Sequence, residues 1–184
     1  MTKRCTDILA LDLATVTGWA RGAPGELPRC GTVRFGEEGA SDNAVFAQAL
    51  TWAAKYLEPE PRPTSIIIEA MLPPQARIGK TSRQTRDRLA GLHGIVRAVA
   101  YCRGIYDIGT ISVLSVRKHF TGSQNASKHA VYERCRMLGW QVPDMNASDA
   151  AATWHFACAM IDPRLGIEVT PLFGKTGKVV SMWP

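Results

Sequence analysis

The sequence predicts an α/β fold in which helices flank a mixed five-stranded sheet. Three observations carry that expectation. Short apolar or β-branched runs alternate with longer runs at helical spacing, in the order βββαβαβαα. The first three short runs are joined by a turn at 14–18 and a Gly/Pro-rich turn at 22–28, which suits an antiparallel meander. The run at 65–69 is wholly apolar between its first residue and its final acid, as expected of a central strand covered on both faces.

Each element has its own signal. Residues 6–12 read as a buried strand, 14–18 as a turn, and 18–20 as the start of a returning strand. A Gly/Pro-rich turn at 22–28 leads to a third strand at 30–35. Asp42-Asn43 can cap a helix to about residue 57, because Val45, Phe46, Ala49, Leu50, Ala53 and Leu57 recur at helical spacing. Pro59, Pro61 and Pro63 end it. Residues 71–81 read as a polar loop carrying Arg77 and Lys80, followed by a long helix at 82–103. Next come a strand at 110–114 and a short helix near 115–120. Ser127 precedes a helix to about residue 138, which Gly139 closes. An Ala-rich helix at about 147–160 stops at Asp162-Pro163. Residues 1–163 are the expected folded domain. Residues 164–184 have weak periodicity and are the expected tail or partner-contacting arm.

A chain of 184 residues is long enough to bury a continuous core. No apolar run approaches the roughly 18–20 residues of a membrane span, and no secretory leader is evident, so a cytoplasmic location is expected. The five cysteines (Cys5, Cys30, Cys102, Cys135, Cys158) are widely spaced and form no CxxC pair. They read as reduced thiols, which argues against a disulfide frame and a zinc site. The formal charge of +6 and pI near 9.3 favour an anionic partner.

Three acidic positions carry the chemistry. Asp12 ends the first strand, Glu69 ends the fourth, and Asp149 lies at the start of the last helix in Asn146-Ala147-Ser148-Asp149-Ala150-Ala151. A carboxylate at the end of a buried strand is costly to ionise without a cation or hydrogen bonds. Three such acids without a Cys or His cluster point to a hard divalent metal with oxygen ligands.

The element order, with acids ending strands one and four, resembles the layout of ribonuclease H-like nucleases. The segments Asp12-Leu13-Ala14-Thr15-Val16-Thr17-Gly18-Trp19-Ala20, Ile66-Ile67-Ile68-Glu69 and Asn146-Ala147-Ser148-Asp149-Ala150-Ala151 resemble the catalytic motifs of RuvC-type Holliday junction resolvases. The similarity spans roughly 6–160. It implies a homodimer that binds four-way DNA junctions and cuts paired strands with Mg²⁺, for which Mn²⁺ would substitute. Two ions about 4 Å apart would activate water and stabilise the phosphorus oxygens and the departing 3′ oxygen. Asp12 would bridge the ions, Glu69 would complete one ligand set, and Asn146 and Asp149 would hold the other. Asn146 departs from the pattern, because resolvases commonly carry an acid or histidine there. An amide oxygen ligates Mg²⁺ without adding charge, and Asn is also a good helix N-cap. Asp144 is near enough to support the site from behind.

Basic residues form the second line. At about 100° per residue, Arg83, Arg86, His93 and Arg97 fall within roughly 80° of arc on the 82–103 helix, beside an apolar arc of Leu89, Leu92, Ile95, Val96 and Val99. Asp87 falls outside that stripe, which suits DNA or dimer contact. Lys128 begins a helix, where a cation opposes the macrodipole. In the resemblance, Val116-Arg117-Lys118 and Lys128 match basic positions beside the catalytic centre, with Arg117 the better match and Lys118 next. They would orient the scissile phosphate. Arg77 and Lys80 add DNA-facing charge. Ala70-Met71-Leu72 follow Glu69 where resolvases carry an aromatic wedge, so any wedge here is aliphatic, from Met71 and Leu72.

His155 reads as a partly buried structural histidine, and Trp19, Trp52, Trp140 and Trp154 as core or core-edge residues. Gly174-Lys175-Thr176 lacks the glycine spacing of a phosphate loop. The expected function is a metal-dependent, structure-selective DNA endonuclease resolving Holliday junctions. A nuclease of broader branched-DNA choice and a catalytically weakened junction-binding protein are the alternatives. The chain is too short for the two lobes of an actin-like ATPase.

Overall fold

The computed structural model describes residues 6–71 and 82–167. Strands β1 (Ile8–Asp12), β2 (Val16–Gly22), β3 (Arg29–Arg34), β4 (Ser65–Glu69) and β5 (Asp107–Ile111) form one sheet in the order β3-β2-β1-β4-β5. β1 pairs antiparallel with β2, and β2 with β3, whereas β4 lies parallel to both β1 and β5. The sheet is therefore mixed, as expected. Helices α1 (Asp42–Tyr56) and α2 (Arg83–Cys102) cover one face. Helices α3 (Val113–Thr121), α4 (Lys128–Met137) and α5 (Met145–Ile161) cover the other, and α6 (Arg164–Ile167) follows.

The two-residue period of a strand decides which face each side chain meets. Leu9 and Leu11 of β1, with Ile66 and Ile68 of β4, pack under α1 and α2. Ile8 and Ala10, with Ile67, pack under α5. Continuing that alternation by two positions puts both Asp12 and Glu69 on the α5 face. The strand register agrees: Leu11 pairs with Ile68, so the two acids follow at the same level on adjacent strands.

α5 is buried almost all round, with Ala147, Ala150, Ala151, Ala152, Trp154 and Ala157 in the core. A helix apolar on every side is an interior helix. Its alanines let it lie close to the sheet, and Trp154 Nε1 donates to the Gly22 carbonyl at 3.0 Å. The closest approach is at Gly18 of β2, where a Cβ would stand 1.9 Å from the Asn146 carbonyl oxygen.

Several boundaries differ from the sequence expectation. β2 begins at Val16, not Gly18, because Thr17 closes a tighter turn: its hydroxyl donates to Ala14 O at 2.7 Å and accepts from Ala14 N at 3.1 Å. α1 is capped by Ser41, whose hydroxyl accepts from Ala44 N, not by Asp42-Asn43. The fifth strand is 107–111 in place of 110–114. This edge strand contains Asp107 and Gly109, whose polarity hides it, while apolar Val113 and Leu114 already belong to α3. The first residues of the expected tail form α6, and Leu165 packs on the α5 side of the core. Leu72, Arg77, Lys80 and Gly174-Lys175-Thr176 lie outside the described residues. None of Cys30, Cys102, Cys135 and Cys158 is in a disulfide.

Candidate active site

The C-terminal ends of β1 and β4 and the N-terminal ends of α4 and α5 meet at one place. Asp12 comes from β1, Glu69 from β4, Lys128 from the first residue of α4, and Asn146 and Asp149 from α5. The Lys128 ammonium donates to Asp149 Oδ2 at 2.8 Å, to Asn146 Oδ1 at 3.4 Å and to Asp12 Oδ2 at 3.5 Å. Residues 116 positions apart in the chain are thus in contact.

Electrostatics explain why the ammonium sits there. Burial raises the Asp12 pKa above the ordinary carboxylate value, and Asp149 adds repulsion that Lys128 opposes. Burial also pushes Glu69 up, to about 8, with Asp12 and Asp149 adding to the effect. For Lys128, burial disfavours the charge, but the pull of Asp12 and Asp149 outweighs it and the pKa rises. The unfavourable position of Lys128 at a helix N-terminus is offset by these carboxylates.

Asn146 is not the helix cap. Asp144 takes that position, its Oδ1 accepting from Asn146 N and Ala147 N, each at 2.9 Å. The same oxygen accepts from the Thr32 hydroxyl at 2.7 Å, tying α5 to β3. Capping by Asp144 leaves the Asn146 amide free to face Lys128.

The expected basic residues divide into two groups. Arg117 is half-buried on α3, and its charge acts on both Asp12 and Glu69. Its Nε is buried with no hydrogen-bond partner among the described residues. Lys118, next to it, is exposed. Arg83 and Arg86 are exposed on the first turn of α2, and Met71 is exposed after β4. The stripe is less purely cationic than the helical projection suggests, because Arg83 pairs with Asp87 at 3.6 Å. The projection treats side chains as points, whereas residues four apart on a helix reach each other.

Sequence reasoning missed Arg88. Its guanidinium donates to Asp42 Oδ1 at 2.6 Å, to the Ala40 carbonyl at 2.9 Å and to the Thr15 hydroxyl at 3.4 Å. It ties α2 to the start of α1 and to the turn that follows Asp12. No local signal marks it, since its partners are 46 to 73 positions away. His155 is buried as expected, with Nδ1 3.1 Å from His119 Nε2.

Among the described residues, no three His, Cys, Asp or Glu side chains converge closely enough to enclose an ion. The donor chemistry nonetheless suits a hard divalent cation: three carboxylates and one amide oxygen, with no sulfur or imidazole. Two of the carboxylates, those of Asp12 and Asp149, are drawn onto a single positive charge, the ammonium.

No family model matches the sequence, and no curated protein matches it. Solved structures do. The Thermus thermophilus RuvC structure superimposes with a TM-score of 0.64 at 16% identity, over 85% of this chain and 96% of that one. T. thermophilus RuvC in complex with Holliday junction substrate gives a TM-score of 0.64 at 14% identity, with the same coverage. The yeast mitochondrial Holliday junction resolvase Ydc2 gives 0.55 at 13%, over 90% of this chain and 80% of that one. The sheet order, the helices on both faces and the near-complete coverage lead to one conclusion: this chain has the fold of the RuvC-type Holliday junction resolvases, a ribonuclease H-like fold.

Proposed function

We propose that the protein is a metal-dependent DNA endonuclease that resolves four-way junctions by paired strand cleavage. The observation that carries this reading is the gathering of Asp12, Asp149 and Asn146 around Lys128, with Glu69 at the same level on the next strand. A T. thermophilus protein of the same fold in complex with a Holliday junction substrate supports branched DNA as the substrate. One such site per chain cuts one strand, so paired cuts require two chains, and the active form is a homodimer.

Asp12, Glu69, Asp149 and Asn146 would hold two Mg²⁺ ions, or Mn²⁺ in their place. When bound, such ions supply an acidified water and charge stabilisation on the phosphate oxygens. Asp12 would be the shared ligand, Glu69 would serve one ion, and Asn146 and Asp149 would serve the other. The Lys128 ammonium, which lies among these ligands, would face the scissile phosphate and meet its developing charge. Arg117, whose charge acts on Asp12 and Glu69, would hold a phosphate oxygen in register. Lys118, Arg83, Arg86, Arg77 and Lys80 meet the flanking backbone, and Met71 with Leu72 parts base pairs at the crossover.

Asn146 favours a second reading, a junction-binding protein with weakened metal affinity, because an amide brings no charge to the cluster. Incubation with a synthetic four-way junction and a linear duplex, with Mg²⁺ or Mn²⁺, separates the two. Paired nicks in the junction alone support the resolvase. Tight junction binding without cutting at any metal concentration supports the second reading, and cutting of both substrates alike points to a nuclease of broader choice.

A further inference from the structure

On the sheet face opposite α5, a cavity of about 590 Å³ opens between the C-terminal half of α1 and strands β2 and β3. Three half-buried aromatic rings line it: Trp19 of β2, and Trp52 and Tyr56, one turn apart on α1. Trp52 and Tyr56 are stacked at 5.0 Å between centroids and 24° between planes, and Trp19 lies 5.3 Å from Tyr56. Trp19 rests on Gly31 of β3, where any Cβ would come within 2.6 Å of the indole. β3 thus has a glycine where the ring needs room.

The charges around these rings are unbalanced. Arg21 is neutralised by Asp7 at 2.7 Å, and Glu60 by Arg62 at 3.2 Å. Arg29 and Lys55 line the same cavity, are exposed, and have no acidic partner among the described residues. A core-edge aromatic cluster would close on itself, whereas these rings border an open volume within the range of ligand sites, about 300–1,000 Å³. A proline-rich peptide would use the rings but leave the two cations without purpose.

We propose that this cavity binds an unpaired nucleotide of single-stranded DNA, its base against the aromatic rings and its flanking phosphates on Arg29 and Lys55. Every base has a π-face, so the site accepts any sequence, and the cations follow the backbone on either side. The inference does not depend on the carboxylate site, which lies on the other face of the sheet.

The test is fluorescence anisotropy of the full chain with labelled oligothymidylate and with a blunt duplex, in EDTA to prevent cutting. Trp52→Leu should weaken oligothymidylate binding by roughly five- to hundredfold, the range for losing one base stack, and leave duplex binding unchanged. Because a core effect could confound that variant, the exposed pair Arg29→Gln with Lys55→Gln provides the second readout. It should reduce the slope of log affinity against log salt for the single strand by about 1.4, about 0.7 for each lost phosphate contact. Equal losses on both DNAs, an unchanged salt slope, or displacement of the oligothymidylate by a neutral proline-rich peptide would overturn the proposal.

Discussion

Asp12 is the residue on which the candidate site turns, because it lies on the central strand between the elements that bring the other groups. Asp12→Asn keeps the shape and removes the charge. On the proposed function, junction cleavage is expected to fall by at least a hundredfold while junction binding is retained, since the shared metal ligand proposed for Asp12 would supply several kcal/mol of barrier lowering. Single-turnover rates within about tenfold of wild type would remove Asp12 from the chemistry. Lys128 makes a different prediction. Lys128→Ala leaves Asp12 and Asp149 facing each other without their cation, so the metal-free protein should lose on the order of 1 kcal/mol, discounted for a side chain 47% exposed. Mg²⁺ should restore melting temperature to this variant more than to wild type, even as cleavage falls. An equal Mg²⁺ shift in both proteins would mean that ammonium and metal do not share the site. Asn146 is informative now that Asp144 is the cap. Asn146→Asp adds a carboxylate 3.4 Å from the Lys128 position and should move half-maximal cleavage to lower Mg²⁺. Superimposable titration curves would leave Asp12, Glu69 and Asp149 as the whole ligand set.

α5 carries part of the candidate site at its N-terminal end and a histidine pair further along, and each end has its own prediction. At the first, Gly18→Ala drives a methyl group into the Asn146 carbonyl, so the first turn of α5 must move away from β2. The overpacking costs about 1–3 kcal/mol, but cleavage should suffer more than that cost implies, because Asn146 and Asp149 move together relative to Asp12. Full activity in a folded Gly18→Ala protein would show that the site tolerates such a shift. At the second, burial, and then the neighbouring His119, hold His155 down at about 4, against an ordinary value of 6.5. The unfolded chain therefore binds more protons between those values. The stability from the neutral imidazole is complete above about pH 6.5 and is lost as pH falls towards 4, by up to about 3 kcal/mol. Glu69, with its raised value, acts in the opposite sense. The comparison to make is wild type against His155→Gln, whose melting temperature should depend less on pH across that window. Parallel pH profiles would count against the histidine pair as an acid-sensitive point.

For the whole molecule, the proposed function raises the question of how the sheet would engage a branched polyanion. Arg83 and Arg86 lie at the start of α2, exposed and away from the carboxylates' direct contacts. Replacing either with Ala should weaken junction binding and reduce its salt slope by about 0.9 for each lost phosphate contact, with little change in saturated cleavage rate. Arg83 should count for less, since Asp87 already competes for it. Equal effects of Arg83, Arg86 and Lys128 changes on binding and on rate would show that positioning and chemistry are not separated in this protein. No helix among the described residues is long and apolar enough to cross a membrane.

Local chemistry was enough to identify the strands ending in Asp12 and Glu69, and the helices read at about 82–103 and 147–160, which the structure places at Arg83–Cys102 and Met145–Ile161. Each of these rests on a period or a punctuating residue within a few positions, and such signals survive without knowledge of partners. β5 was misplaced because an edge strand needs little apolar character, so its pairing with β4 defines it rather than its own composition. The assignment of the α5 cap to Asp144, the seat for α5 at Gly18 and the triple anchorage of Arg88 join residues tens of positions apart or choose between adjacent cap candidates by geometry. Lys128 shows the division most clearly. Its position at a helix start could be read in the chain, yet its contact with Asp12, 116 positions earlier, exists only because α4 and β1 are packed against the same buried helix.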